Sequence, residues 1–163
     1  MPMKYPDPQS TKAIPTGNRL RALAFACLAK REYSKHDLTQ KLLQYGADAQ
    51  EVAQLVNELE QENYQSDTRM AGMLVRQQIR QGRGLQRIRQ ALKKHEIAPE
   101  LAEIELSDVD WFQEALQLKI KKFGIDIAKE PKEQARQIRF LQYRGFSMDV
   151  IMKVIRYNIE DLE

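Results

Sequence analysis

The sequence predicts an all-α chain of three three-helix repeats in tandem, forming an elongated, curved array, and three observations predict it. Leu, Ala, Gln, Glu, Lys and Arg dominate, whereas aromatics make up 7% and the chain holds only 7 Gly and 6 Pro in 163 residues, a helix-forming composition. Apolar residues recur three and four apart between capping residues and glycines. A corner pattern also returns. Leu42, Gly46, Ala47, Val52 and Val56 align with Leu92, Glu96, Ile97, Ala102 and Leu106, then with Leu141, Gly145, Phe146, Ile151 and Ile155, at offsets of 50 and 49 residues. A period near 50 holds three helices per unit. Glu105 is a mismatch in the middle copy, where Leu55 and Val154 stand in the others.

Taken in order, residues 1–16 carry Pro2, Pro6, Pro8 and Pro15 without a hydrophobic period and read as a disordered tail. The first repeat covers 17–64. Its first helix, over 18–30, turns Leu20, Leu23, Ala24, Ala26, Cys27 and Leu28 to an apolar surface. Ser34 caps a second helix that buries Leu38, Leu42 and Leu43 and stops at Gly46. Asp48 caps a third, with Val52, Leu55, Val56 and Leu59 inward.

The second repeat, 65–107, opens with a helix carrying Ala71, Leu74, Val75 and Ile79 on one face and Arg69, Arg76 and Arg80 on the opposite one. Gly82 and Gly84 interrupt it, since Gly costs about 1 kcal/mol in a helix interior relative to Ala. The next helix starts near Leu85, with Leu85, Ile88 and Leu92 in one stripe.

The third repeat is 108–163. Asp108 is the expected cap of a helix containing Trp111, Phe112, Ala115, Leu116 and Ile120. Lys119, Lys121 and Lys122 crowd its last turn, where the helix dipole favours cations. After Gly124, a helix from about Lys132 turns Ala135, Ile138 and Leu141 inward and leaves Arg136, Arg139 and Arg144 to solvent. Gly145 turns the chain, and Ser147 caps a last helix built on Val150, Ile151, Val154 and Ile155.

Composition narrows the function classes. No window reaches the ~18 apolar residues of a membrane span, and the N-terminal stretch lacks the apolar core of a secretory signal. With its single Cys27 set among core-type residues, the chain is expected to be a cytoplasmic monomer without a disulfide. His36 and His95 stand far apart, outside any zinc-binding spacing. The Gly82-Arg83-Gly84 corner lacks the lysine and strand of a phosphate-binding loop, so it reads as a turn. Acid pairs such as Glu58 and Glu62 have no partner base. No enzyme, metal or cofactor is expected.

Charge is distributed unevenly. The net charge is only +3, yet 69–94 holds Arg69, Arg76, Arg80, Arg83, Arg87 and Arg89, then Lys93 and Lys94, with no Asp or Glu. Residues 48–67 and 96–114 are the inverse, acidic without Lys or Arg. A charge run is ordinarily a solvated helix face, and the alternation fits either matching between adjacent helices or a polarised surface. Trp111, Phe112, Phe123, Tyr143 and Phe146 read as core at helical spacing, with base stacking as the rival role.

REYSKHDLTQKL at 31–42, NYQSDTRMA at 63–71, GRGLQRIRQALKKHEI at 82–97, DVDWF at 108–112 and IRFLQYRGFSMDVI at 138–151 together resemble the bacterial RecX regulatory proteins. The likeness covers most of the chain after Asn18. It departs from the family at Asn63, where a glycine-tyrosine-leucine-aspartate-aspartate run usually begins, and at Glu96, where Gly is usual. The resemblance implies tandem three-helix repeats that bind along the groove of the RecA recombinase filament and lower its ATPase and strand exchange. It also implies weak contact with single- or double-stranded DNA.

On that reading the contact surface is expected first at Arg76, Arg80, Arg83, Arg87, Arg89, Lys93 and Lys94, and second at Arg136, Arg139 and Arg144. Reversing charge at Arg76, Arg80 and Arg87 is expected to weaken suppression of the ATPase while leaving helicity intact. The alternative is a non-sequence-specific nucleic-acid-binding module whose affinity falls steeply with salt.

Overall fold

The structure, a computed structural model, describes residues 13–162. Residues 1–12 of the expected tail lie outside the described residues, and 13–16 run without helix into the first element. The helices are α1 (Gly17–Lys30), α2 (Lys35–Leu43), α3 (Ala49–Gln61), α4 (Asp67–Arg80), α5 (Leu85–Lys94), α6 (Glu103–Ser107), α7 (Trp111–Phe123), α8 (Pro131–Tyr143) and α9 (Met148–Arg156). No strand occurs among the described residues. The chain divides into two compact units, Met1–Ser66 and Asp67–Glu163.

The first unit encloses one core. Leu20, Ala24, Leu38, Leu42, Val52, Val56 and Leu59 are fully buried, and Cys27 packs among them. Burying each such Leu or Val contributes roughly 1.5–3 kcal/mol. Ser34 Oγ accepts from Asp37 N at 3.0 Å, and the Asp48 carboxylate from Glu51 N at 3.1 Å, so the caps expected from sequence start α2 and α3. Ala26 is exposed, leaving α1 a narrower apolar stripe than its composition suggests. Acidic α3 is partly neutralised inside the unit: Arg21 reaches Glu58 and Glu62 at 3.4 and 3.2 Å, and Lys35 reaches Glu60 at 3.2 Å. Asn63 ends the helix in the left-handed region at φ 65°, with Tyr64 N donating to Leu59 O. Asn accepts that conformation better than other residues with a Cβ.

The second unit holds two cores that share Trp111. One is built on Met70, Ala71, Leu74, Val75, Ile88, Leu92, Ile97 and Ala102, the other on Ala115, Leu116, Leu141, Phe146, Ile151, Val154 and Ile155. The repeat alignment is matched in burial: Leu42, Leu92 and Leu141 are each at most 1% exposed, as are Val52, Ala102 and Ile151. Glu96, standing at the corner after α5, takes φ 51°, and Ile97 N closes the helix onto Leu92 O. The corner keeps the left-handed geometry without a glycine.

Two expectations are corrected here. The third helix of the middle repeat shrinks to a 3-10 turn, Pro99–Ala102, followed by the five residues of α6. Ala102 is buried and Leu106 only partly so, while Ile104 is 81% exposed, too little apolar surface to hold a longer helix. Glu105, the mismatch, points to Arg76 instead of the core.

The cap of α7 is Asp110, not Asp108. Asp108 closes α6 in a helical conformation, so the extended residue before α7 is Asp110, whose carboxylate accepts from Gln113 N at 3.1 Å.

Of the three lysines near the end of α7, Lys119 turns inward. It is 1% exposed, and its Nζ donates to Gly124 O at 2.9 Å and Asp126 O at 2.8 Å. Burial pushes its pKa below the usual lysine value, with Asp126 pulling it partly back. The ammonium thereby pins the start of the loop to α8.

Candidate functional site

All of the expected contact residues lie in the second unit, and its geometry divides them. At the junction between α4 and α5, Gly84 N donates to Arg144 O at 2.8 Å and Gln86 N to Gly145 O at 3.0 Å. The free N–H groups at the start of α5 thus meet carbonyls at the end of α8, where opposite ends of helix dipoles attract.

Two glycines permit this approach. A Cβ on Gly84 would stand 2.7 Å from the backbone of Gly145 and Phe146, and one on Gly145, itself at φ 98°, would stand 2.6 Å from the Arg87 side chain. Arg87 Nε donates to Tyr143 O at 3.0 Å while its guanidinium lies 4.7 Å from the Tyr143 ring centre. Arg144 donates in return to Gln81 O at 3.0 Å and lies 5.3 Å from the Phe140 ring centre. Arg87 and Arg144 therefore join the second and third repeats.

Three more of the expected residues have partners on their own repeat. Arg76 forms a forked pair with Glu105 at 2.9 and 3.1 Å, made possible by Gly72, whose missing side chain leaves room for the carboxylate. Arg83 donates to Gln78 Oε1 at 3.1 Å. Arg136 meets Glu133 at 3.5 Å and lies over Phe123.

The remaining five differ. Arg80, Arg89, Lys93, Lys94 and Arg139 are exposed, and their side chains make no hydrogen bond or ion pair among the described residues. Of the expected surface, these are the cations left to an outside partner.

Tertiary structure adds residues the sequence reading missed. A cleft of about 500 Å³ gathers Arg80 from α4, Lys121 and Lys122 from α7 and Arg144 from α8 over a floor of Ile79, Leu118 and Phe140, with Glu114 as its only carboxylate. Nothing in the spacing of α7 joins Lys121 and Lys122 to Arg80, about forty residues earlier; only the packing of α7 beside the end of α4 does. A second groove, of about 510 Å³, runs along α4 and α5. It is lined by Arg83, Arg87 and Lys94, by His95, and by Gln77, Gln81 and Gln90, with no carboxylate. Among the described residues no three His, Cys, Asp or Glu side chains gather as metal ligands, and no helix is long and apolar enough to cross a membrane.

The aromatics also divide. Trp111 pairs with Phe146, Phe112 with Tyr157, and Phe123 with Phe140, all edge-to-face and within or against the third repeat's core. Tyr143 is the exception at 76% exposed.

Comparison with known proteins places these features. Residues 66–106 match the family described as RecX, second three-helix domain, and 108–155 match RecX, third three-helix domain. The regulatory protein RecX of Acinetobacter baylyi is 49% identical over 159 residues, 98% of this chain and 99% of that protein. The RecX of Acidithiobacillus ferrooxidans is 39% identical over 137 residues, 82% of this chain and 87% of its own. The crystal structure of RecX from Lactobacillus salivarius superposes with a TM-score of 0.75 at 19% identity, covering 85% of this chain and 94% of that one. At that identity the likeness is one of fold.

Proposed function

Because this chain belongs to the RecX family of regulatory proteins, we propose that it binds the RecA nucleoprotein filament and lowers its ATP hydrolysis and strand exchange, with no catalysis of its own. The observation that carries this reading is the cationic surface of the second unit that the acids among the described residues leave unmatched: Arg80, Lys121 and Lys122 around the cleft, and Arg89 and Lys93 on the outer side of α5. Such a surface suits the acidic face of a protein filament or the phosphates it carries.

The test is single-stranded-DNA-dependent ATP hydrolysis by the cognate RecA, with and without this protein, across a salt series. Hydrolysis is expected to fall when the protein is added, and to recover with the Arg80→Glu, Lys121→Glu and Lys122→Glu triple variant. Unchanged hydrolysis on adding the parent protein overturns the reading. The charge reversals belong on these residues, not on Arg76 and Arg87. Those two have structural partners, and their loss would mix folding with binding.

A further inference from the structure

We propose that two copies of this chain associate head to tail, the acidic and apolar edge around α6 of one copy seating in a pocket of the first unit of the next. The pocket, of about 600 Å³, lies beside the start of α1 and the end of α2. Ile14, Leu23, Leu43 and Tyr45 supply its apolar surface, Arg19 and Lys41 its charge, and no carboxylate lines it. Ile14 is 63% exposed and Tyr45 43%. Apolar surface therefore stands open there, and neither cation has an ion pair among the described residues.

The edge around α6 is the inverse. Leu101 and Ile104, three residues apart on one side of the 3-10 turn and α6, are 39% and 81% exposed, and Ile104 is the most exposed large apolar side chain among the described residues. Glu100 and Glu103 stand beside them, exposed and without an ion pair among the described residues. No Lys or Arg occurs anywhere in 96–114. Apolar side chains flanked by acids thus match an apolar pocket flanked by bases, in shape of burial and in sign of charge. Burying Ile104 drives the contact. The charges fix its direction, because pocket against pocket or edge against edge would bring like charges together. A second copy is the occupant since every copy carries both halves, which makes the contact heterologous. The patch falls short of a standard interface, so the chain is a monomer when dilute. On the filament of the proposed function, neighbouring copies are at high effective concentration, and the same contact makes their binding cooperative.

The experiment is sedimentation velocity of the full chain at low and intermediate salt, up to a concentration on the order of 1 mM, without recombinase or DNA. Its result thus stands apart from the filament reading. The weight-average sedimentation coefficient of the parent is expected to rise with concentration, and to rise less at the higher salt. An edge variant, Glu103→Lys with Ile104→Ser, and a pocket variant, Lys41→Glu with Tyr45→Ser, are each expected to weaken self-association about tenfold. Their equimolar mixture is expected to regain association, because each variant keeps the surface the other has lost. Thermal unfolding of both variants monitors the fold. A parent that stays monomeric across the whole range overturns the proposal. So does association that neither variant weakens, which would place the contact elsewhere on the chain. A mixture that associates no better than its two components also overturns it, since a head-to-tail contact requires one intact edge to meet one intact pocket.

Discussion

The two sides of the α4–α5 hairpin carry the same residue types and do opposite things with them. On the side toward α8, Arg87 and Arg144 spend their guanidinium groups on main-chain carbonyls and aromatic rings across the junction of two repeats. On the outer side, Arg89 and Lys93 meet nothing within the described residues. An arginine whose donors are aligned on main-chain carbonyls acts as part of the fold. One whose donors face water is available to a partner, and its removal costs the fold almost nothing.

The largest effect is expected where the junction depends on backbone contact. Gly84→Val places side-chain atoms against the backbone of Gly145 and Phe146; overpacking of this kind is expected to lower stability by about 3 kcal/mol in urea unfolding. Retention of parent stability would mean that the two corners are not in firm contact, and the contrast between the hairpin's sides would dissolve.

The next effect sharpens the comparison. Arg87→Ala is expected to cost about 1.5–2 kcal/mol, the worth of a hydrogen bond from a charged group plus a ring contact. Arg89→Ala and Lys93→Ala are expected to stay within about 0.5 kcal/mol of the parent. Similar losses on both sides, by the same unfolding measurement, would erase the distinction.

The smallest effect belongs to the intermediate case, Arg76 with Glu105. The pair is forked, but its side chains are 58% and 39% exposed. A double-mutant cycle with Arg76→Ala and Glu105→Ala is expected to give a coupling below about 1 kcal/mol that fades with salt. A larger, salt-insensitive coupling would move Arg76 into the structural class.

Much of the fold was legible because it is written in local rules. Ser34, Asp48 and Ser147 cap helices where their side chains say they should. Apart from Leu106, which is only partly buried, the apolar positions that recur at 50 and 49 residues are the ones that become buried. The misreadings have local causes too. Asp108 and Asp110 are both competent caps, and the choice fell to whichever residue the end of α6 left extended. The site was less legible. Charge runs report how many cations a helix carries, not where their tips end, and a long flexible side chain takes its partner from whatever folds beside it.

By itself the sequence determined the all-α class, the repeat spacing, the helix starts and the location of the positive charge, because each follows from interactions within a turn or two of helix. Only the tertiary structure decided which cations remain free. It fixed Arg87 and Arg144 at the junction, drew Lys119 inward and gathered Arg80 with Lys121 and Lys122 around one cleft. It also left Tyr143 in solvent while its aromatic neighbours packed. Those outcomes depend on residues tens of positions apart coming within hydrogen-bond or packing distance, and helical periodicity carries no record of such meetings.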